Sequence, residues 1–361
     1  MGRFCHSGTA PDPEGPAMPR PRAPQPPRLA APAPRRAAFL LVAALVTLPL
    51  ATGCTIDPVD RSAGVDAAEV HTGPMRIAMI THGDDGGFWS IVRTGAEDAA
   101  ATLPEVTLDY QGSAGDAKLQ SEMIKAALNQ GADGLAVSAP DIGAISGALA
   151  EAETAGIPII TLNSGSDLLE TMPGVITHVG QSEQVAGVGA GRRLGDGGAT
   201  KVMCVLHEEN NIGLQERCDG ARQGVAESGG EVITIQVTGK ADPGSTAREI
   251  GAAMEANSPD AVLTLDPDIA MAGLKEVTSR EATLATFDLS PDVLDEVAAG
   301  RIEFAVDQQP YLQGSLPVTF LELAVRNRNE VGANTIVATG PSFVTQENAA
   351  SIAALAEQGT R

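Results

Sequence analysis

Short apolar runs alternate with longer segments of helical period along most of the chain, and no other feature of the sequence constrains the fold as strongly. Up to residue 179 the pattern predicts strands at 76–80, 107–111, 134–137, 158–162 and 177–179, with helices at 88–101, 116–129 and 142–155. It then restarts, with helices at 182–194, 214–227, 245–256 and 269–278 and strands at 201–206, 231–237, 261–265 and 284–287. Strands that alternate with helices pair in parallel and are covered on both faces. The sequence therefore predicts an α/β protein with two Rossmann-like lobes built on parallel sheets.

The N-terminal segment has the charged, apolar and small-residue regions of a secretory signal. Two arginines precede an apolar run over residues 37–48, and small residues follow it. The run is shorter than a membrane-spanning helix, and Pro49 ends it. We therefore expect residues 1–53 to be a signal peptide and the mature protein to be exported.

Residues Ala51-Thr52-Gly53-Cys54 resemble the bacterial lipobox, in which the Cys is acylated and becomes the N-terminus of the mature chain. A lipobox usually carries Leu three places before the Cys, where this chain has Ala51, so a secreted form without lipid stays open. The resemblance predicts lipidation of Cys54 and anchoring to the outer face of the cell membrane, on its periplasmic or cell-wall side, through the lipid only. Residues 54–74 have no apolar period and are expected to form a flexible tether.

The charge of the chain argues against a nucleic-acid partner. The formal net charge is −22, and the first 53 residues carry six Arg against one Asp and one Glu. The balance of that leader is +4, so the remaining 308 residues carry −26 with only 18 Lys and Arg. Because phosphate contacts need Lys and Arg, we interpret the acidity as a solvated surface and expect no nucleic-acid binding.

Four cysteines occur in the sequence, and two of them remain once the leader is removed and Cys54 is lipidated. Cys204 and Cys218 are then an even pair in a compartment that permits oxidation, so we predict a disulfide between them; two buried thiols are the alternative. Their spacing does not match a zinc site, and the sequence holds no intact calcium-loop motif. We therefore predict no metal and no cofactor.

The loop after the first strand is rich in Gly and ends in two adjacent aromatic residues, Phe88 and Trp89. In open parallel sheets, ligands bind beyond the carboxyl ends of the strands, and aromatic faces stack on sugar rings. The alternative is a hydrophobic staple that holds the start of the helix. The glycines of this loop lack the G-x-G-x-x-G spacing of a dinucleotide site, and those in 187–191 lie inside a helical period, where close helix packing explains them.

Polar residues follow the other strands as well. Each alone is typical of a helix cap, and Asp141, Ser182 and Asp268 stand where an N-cap is expected. One polar residue per strand end across two lobes favours a ligand site instead. The residues at these ends are Asp85, Ser138, Asp141, Asn163, Ser164, Gln181, His207, Glu208, Asp266, Asp268, Asp288 and Gln308.

From about Met75 to its end, the chain resembles the sugar-binding proteins of bacterial ABC importers with the type I periplasmic-binding fold. Six stretches carry the resemblance in order: 88–90 with 95–97, 156–163, 216–220, 260–266, 287–288 and 308–314. It implies a three-segment hinge near 180–181, 308–309 and 340. The N-terminal lobe would hold residues 75–180 plus about 309–340, and the C-terminal lobe 181–308 plus about 341–361.

The same resemblance assigns roles to individual residues. Phe88 and Trp89 would sandwich the ligand ring, and Arg217 would donate paired hydrogen bonds to hydroxyls. Asp288 and Gln308 would bind at the hinge side. Further expected ligand-binding residues are Asn163 and Asp266, with Asp85, Ser138, Gln181 and Glu208 as a second set.

Two departures from the ribose-binding pattern bear on the ligand. Asn163-Ser164 replaces an Asp-Arg pair, and Asp266 replaces an Asn. One arginine fewer and one carboxylate more favour a neutral, hydroxyl-rich ligand, for which a simple sugar, a linear polyol or an aminosugar all qualify.

The resemblance implies a monomeric solute-binding lipoprotein that is not an enzyme and delivers a sugar or polyol to an ABC permease and its ATPase. One alternative is a non-sugar polar ligand such as a signalling furanone. Another is a glycoside-processing enzyme that uses Asp266 and Asp288 as its carboxylate pair. Transcription regulators of this fold carry an N-terminal helix-turn-helix, where this chain has the leader and tether.

Overall fold

The computed structural model describes residues 71–84, 86–239 and 242–361. Over these residues the chain forms two six-stranded sheets with helices between the strands. The expected signal peptide, Cys54, the expected tether up to residue 70, and Asp85 lie outside the described residues. No helix in the described part of the chain is both long and apolar enough to cross a membrane.

The elements follow in the alternating order that the sequence predicts. The strands are β1 (Met75–Thr81), β2 (Val106–Gly112), β3 (Gly134–Val137), β4 (Ile159–Leu162), β5 (Val175–Gly180), β6 (Lys201–Leu206), β7 (Glu231–Gln236), β8 (Ala261–Thr264), β9 (Thr283–Phe287), β10 (Phe304–Asp307), β11 (Ile336–Ala338) and β12 (Ser342–Thr345). The helices are α1 (Gly86–Ala101), α2 (Ala117–Asn129), α3 (Ile142–Thr154), α4 (Leu168–Thr171), α5 (Glu183–Asp196), α6 (Ile212–Ala226), α7 (Pro243–Asn257), α8 (Pro267–Thr278), α9 (Pro291–Ala298), α10 (Pro310–Asn327) and α11 (Ala349–Ala356).

Each sheet forms the centre of one lobe. The N-terminal sheet has the strand order β11-β5-β4-β3-β1-β2, and all its neighbours run parallel. The C-terminal sheet has the order β12-β10-β9-β8-β6-β7 and is parallel except for β12, which runs antiparallel to β10. The predicted fold class, α/β with two lobes on parallel sheets, is confirmed.

Side-chain caps fix where several helices begin. Asp141 accepts a hydrogen bond from the Ala144 N–H at 3.0 Å, and Ser182 accepts one from Val185, as predicted N-caps do. The predicted cap at Asp268 is wrong, because Asp266 caps α8 and Pro267 takes the first helical position. A proline fits there since its missing N–H would have no partner.

Glycines bring α5 and α6 into close contact. A Cβ on Gly187 or Gly191 would overlap the backbone of α6, and one on Gly220 or Gly224 would overlap the backbone of α5. The expectation of close helix packing is confirmed for Gly187 and Gly191, whereas Gly189 faces the Phe343 ring of β12. Because the two backbones touch, side chains from α5 and α6 reach each other across a short distance.

Three crossovers connect the two sheets, and they meet at Gly340. A Cβ on this glycine would lie 3.0 Å from Gln181 Oε1, 3.0 Å from the Asp307 carbonyl oxygen and 3.1 Å from Gln308 Cα. These neighbours follow β5 and β10, while Gly340 itself lies between β11 and β12. We propose, as the resemblance implies, that the lobes divide at these crossovers.

Candidate functional site

A cleft of about 710 Å³, counted out to its open mouth, lies where the carboxyl ends of both sheets face each other. Residues from both lobes line the cleft, including eight of those expected to bind ligand: Phe88, Trp89, Asn163, Arg217, Asp266, Asp288, Gln308 and Glu208.

Phe88 and Trp89 form the aromatic wall of the cleft at the start of α1. Their ring centroids are 5.0 Å apart and the ring planes meet at 80°, so one ring presents its face to the edge of the other. Both rings also pack against the core of the N-terminal lobe. The two rings therefore hold the start of α1 against the core, as a hydrophobic staple does, and also line the cleft. The two interpretations of this aromatic pair do not exclude each other.

Arg217 on α6 lies at the base of the cleft and is almost fully buried. Its Nε and Nη2 donate to the two carboxylate oxygens of Glu183 at 2.6 and 3.1 Å. The guanidinium carbon lies 4.6 Å from the centroid of the Phe287 ring. Nη1 is 3.4 Å from the Leu265 carbonyl oxygen and 3.8 Å from Asp288 Oδ2. These contacts fix the guanidinium plane before any ligand arrives.

Asp288 follows β9 and is a buried acid of the cleft whose pKa is strongly shifted. Burial raises its pKa to about 7, and the negative charges of Asp266 and Glu183 add to the rise. The Arg217 guanidinium and a hydrogen bond from Gln308 oppose it. Because burial disfavours its charged form, this carboxylate gains from each hydrogen-bond donor that reaches its oxygens.

Gln308 joins the two lobes at the second crossover. Its Nε2 donates to Asp288 Oδ1 at 2.7 Å, and its Oε1 accepts from Asn163 Nδ2 at 3.3 Å. Asn163 and Asp288 both have a positive backbone φ, of 59° and 66°, which Asn and Asp tolerate better than most residues. The chain thereby turns each side chain back towards the cleft.

Two predicted ligand-binding residues lie behind the cleft rather than on it. Ser138 is fully buried, and its Oγ is 2.8 Å from both the backbone N and the Nδ1 of His82. Gln181 is 1% exposed and donates from Nε2 to Glu183 at 2.9 Å. Both residues follow strands at the edge that the sequence indicates, and neither lines the cleft.

His82 and Glu183 are among the residues at the site that the prediction missed. His82 lines the cleft, and its ring meets Trp89 edge-on at 4.7 Å. Glu183 lies beneath the cleft and is bonded to Arg217. The signal for Glu183 was its place directly after the cap Ser182, at the first crossover and in the first turn of α5.

The predicted disulfide is confirmed. Cys204 on β6 is bonded to Cys218 on α6, with 5.8 Å between the Cα atoms. Cys218 follows Arg217 directly, so the covalent link holds the helix that carries the arginine against its sheet.

Comparison with known proteins agrees with this architecture. Residues 77–329, more than half of the chain, match the family model described as periplasmic binding protein domain. Among curated proteins, the xylose/arabinose-binding protein XylF of Sulfolobus acidocaldarius is 27% identical over 299 residues. That alignment covers 76% of this chain and 71% of XylF.

Solved structures give the same result. A carbohydrate transporter from Acidothermus cellulolyticus 11B, in complex with myo-inositol, is 38% identical with a TM-score of 0.74. The alignment covers 80% of this chain and 99% of that one. An ABC transporter solute binding protein from Bacillus halodurans C-125 with bound myo-inositol is 19% identical with a TM-score of 0.68, over 78% and 98% of the two chains. The second likeness supports the fold alone.

Proposed function

The chain belongs to the periplasmic binding protein family, and we propose that it is the solute-binding protein of an ABC importer that captures a neutral, hydroxyl-rich ring. A cyclic polyol such as myo-inositol or a simple sugar fits this description. The protein would act by binding alone, as a monomer, without catalysing a reaction.

One observation carries the proposal. An aromatic wall from the N-terminal lobe, Phe88 and Trp89, faces a forked donor and a carboxylate from the C-terminal lobe, Arg217 and Asp288, across one cleft. Aromatic faces suit the C–H face of a saturated ring. A guanidinium edge and a carboxylate suit neighbouring hydroxyls, because each offers two hydrogen bonds in a fixed geometry.

The relative with bound myo-inositol supports the choice of ligand class. It is 38% identical to this chain over nearly its whole length. A ring with a hydroxyl on every carbon presents vicinal diols around its rim and C–H bonds on its faces. Such a ligand would satisfy the polar base and the aromatic wall of the cleft together.

Capture would stabilise a closed arrangement of the lobes. Because the proposed ligand contacts belong to both lobes, a bound ligand makes its full set of hydrogen bonds only when the lobes are closed. The closed, loaded form would be the one that the permease and its ATPase accept. The sequence signals for export and for lipidation at Cys54 support a place on the outer face of the cell membrane.

A ligand screen of the purified protein tests the proposal. Thermal-shift and calorimetric measurements with myo-inositol, glucose, galactose, ribose, arabinose, xylose and glucosamine should show one class that raises the melting temperature, because a ligand that binds only the folded state stabilises it. Arg217→Ala should abolish the shift.

The control for that variant is Arg192→Ala. Arg192 makes a bidentate pair with Glu227 between the same two helices but at an exposed position. It should bind as the unmodified protein does. A furanone that binds while all sugars and polyols fail would contradict the proposed ligand class.

A further inference from the structure

Arg217 lies between two carboxylates at unequal distances. Glu183 accepts from Nε and Nη2 at 2.6 and 3.1 Å, whereas Asp288 Oδ2 is 3.8 Å from Nη1. The Arg217 and Glu183 side chains are each 5% exposed, and that of Asp288 is 12% exposed. One buried cation is thus bonded to one acid and stands close to a second.

A buried guanidinium needs an anionic partner, because leaving its charge unpaired in the protein interior costs several kcal/mol. Glu183 meets this need on the edge of Arg217 formed by Nε and Nη2. Without it, the nearest other carboxylate is Asp288, about one ångström beyond hydrogen-bond distance. A small side-chain movement would join the two residues.

We propose that Glu183 is a positioning residue that keeps Arg217 and Asp288 from closing into a direct hydrogen-bonded pair, so that both stay available to a ligand. This inference rests on the proposed function only for the chemical class of the ligand, a neutral, hydroxyl-rich ring. Arg217 then offers its remaining donors to hydroxyl oxygens, and Asp288 accepts from hydroxyl hydrogens. A direct pair between them would occupy donors and acceptors together and leave the base of the cleft closed to hydroxyls.

Glu183 itself is held by a residue behind the cleft. Gln181 at the first crossover donates to Glu183 Oε2 at 2.9 Å, the same oxygen that accepts from Arg217 Nε. Glu183 is also in the first turn of α5, where the helix dipole favours a negative charge. Its position is therefore set by the hinge and the helix and does not depend on the ligand.

The test is the variant Glu183→Gln, which keeps the shape of the side chain and removes its charge. We expect its ligand affinity to fall about tenfold or more, as for other losses of one partner from a buried charge pair. Glu183→Asp keeps the charge and should recover most of the affinity.

The matched control is Glu227→Gln. It removes the carboxylate from the other bidentate Arg–Glu pair between α5 and α6, formed with Arg192 at 2.6 and 2.7 Å. That pair is exposed and far along the helices from the cleft. Affinity should be unchanged in this variant, so a loss shared by both would assign the effect to helix packing and overturn the proposal.

A double variant separates positioning from a general weakening of the site. If Arg217 already holds Asp288 in Glu183→Gln, then adding Asp288→Asn costs less affinity than it does in the unmodified protein. Two losses that simply multiply would show that Glu183 and Asp288 act independently, and would contradict the proposal.

A crystal structure of ligand-free Glu183→Gln gives a result that needs no ligand. We expect Arg217 and Asp288 in direct contact, at about 2.7–3.0 Å. An unmoved Arg217 would overturn the inference. If the unmodified protein bound nothing in the ligand screen, the proposed function would fail while this structure still decided the role of Glu183.

Discussion

Asn163 at the end of β4 and Gln308 at the second crossover are 145 residues apart in sequence, yet Asn163 Nδ2 donates to Gln308 Oε1 at 3.3 Å. Gln308 Nε2 in turn donates a hydrogen bond to Asp288 Oδ1 at 2.7 Å. One side chain thus connects a cleft residue of the N-terminal lobe to one of the C-terminal lobe. Its position at a crossover places this link between the two sheets, beside the cleft.

Gln308→Ala should weaken ligand binding about tenfold, because it removes the hydrogen bond to Asp288 and the bond from Asn163 together. Since that bond holds the pKa of Asp288 down, its loss should raise this pKa further and move the acid limb of the binding profile to higher pH. Calorimetry between pH 5 and 9 measures both effects, and a profile identical to that of the unmodified protein would contradict this role.

Asp288→Asn should stabilise the ligand-free protein while it weakens binding. Because the folded-state pKa of Asp288 is raised to about 7, the folded state holds a proton that the unfolded state has lost, and stability falls as the pH rises from about 4 to 7. At pH 8 the charged, buried carboxylate therefore destabilises the fold. We expect the variant to melt at least ~2 °C higher at pH 8.

The measurement for that prediction is a pair of melting curves at pH 4 and pH 8. The gain should be largest at pH 8 and nearly absent at pH 4, where Asp288 is protonated in the folded state. An equal gain at both values would mean that its charge is not the cause.

Removal of the disulfide should lower stability and ligand affinity together. The bond closes a loop with a sequence separation of 14, for which the chain-entropy argument gives about 3 kcal/mol. Cys204→Ala with Cys218→Ala should therefore melt roughly 6–12 °C lower. Because Cys218 neighbours Arg217, affinity should fall as well.

Two further measurements check this prediction. Reductant should lower the melting temperature of the unmodified protein and leave that of the double variant unchanged. Alkylation of the unfolded, unreduced protein should leave Cys204 and Cys218 unlabelled by mass, and a labelled pair would contradict the bond.

Gly340→Ala should obstruct the hinge. The added methyl group would lie about 3 Å from Gln181, Asp307 and Gln308, two of which contribute backbone atoms that cannot move aside cheaply. We expect a lower melting temperature and at least a tenfold loss of affinity. Gly147→Ala is the matched control, since nothing lies within 4 Å of its added Cβ and it is exposed in α3.

The control should gain about 0.5–1 kcal/mol of stability, because Ala is a better helix former than Gly. Equal behaviour of both variants in calorimetry and thermal melting would show that the crossovers tolerate a Cβ at Gly340.

The predicted elements agree with the structure to within a few residues up to Phe287, and β3 and β6 have the predicted bounds. The later elements, from α9 onward, were not assigned as helices or strands in advance. The last strand departs most from the predicted parallel sheets, because β12 runs antiparallel to β10. It follows a crossover that no local apolar pattern reveals.

The positions of individual side chains were likewise predicted only in part. Asp266 was expected at the ligand, and its carboxylate also accepts from Asp268 N at 2.8 Å to cap α8. Gln181 was expected at the ligand and lies instead behind Glu183. A strand-end position therefore identifies the region of the cleft, while the path of the crossover decides which neighbour reaches it.

The sequence by itself determined the α/β class, the edge of each sheet where the cleft lies, and the pairing of Cys204 with Cys218. These follow from hydrophobic periodicity and from counting, which are local properties of the chain. Only the tertiary structure decided that Glu183 holds Arg217, that Gln308 bridges Asn163 and Asp288, and that Ser138 supports His82. Those contacts join residues that are 20 to 145 positions apart in the sequence. They therefore depend on packing that no short window of sequence contains.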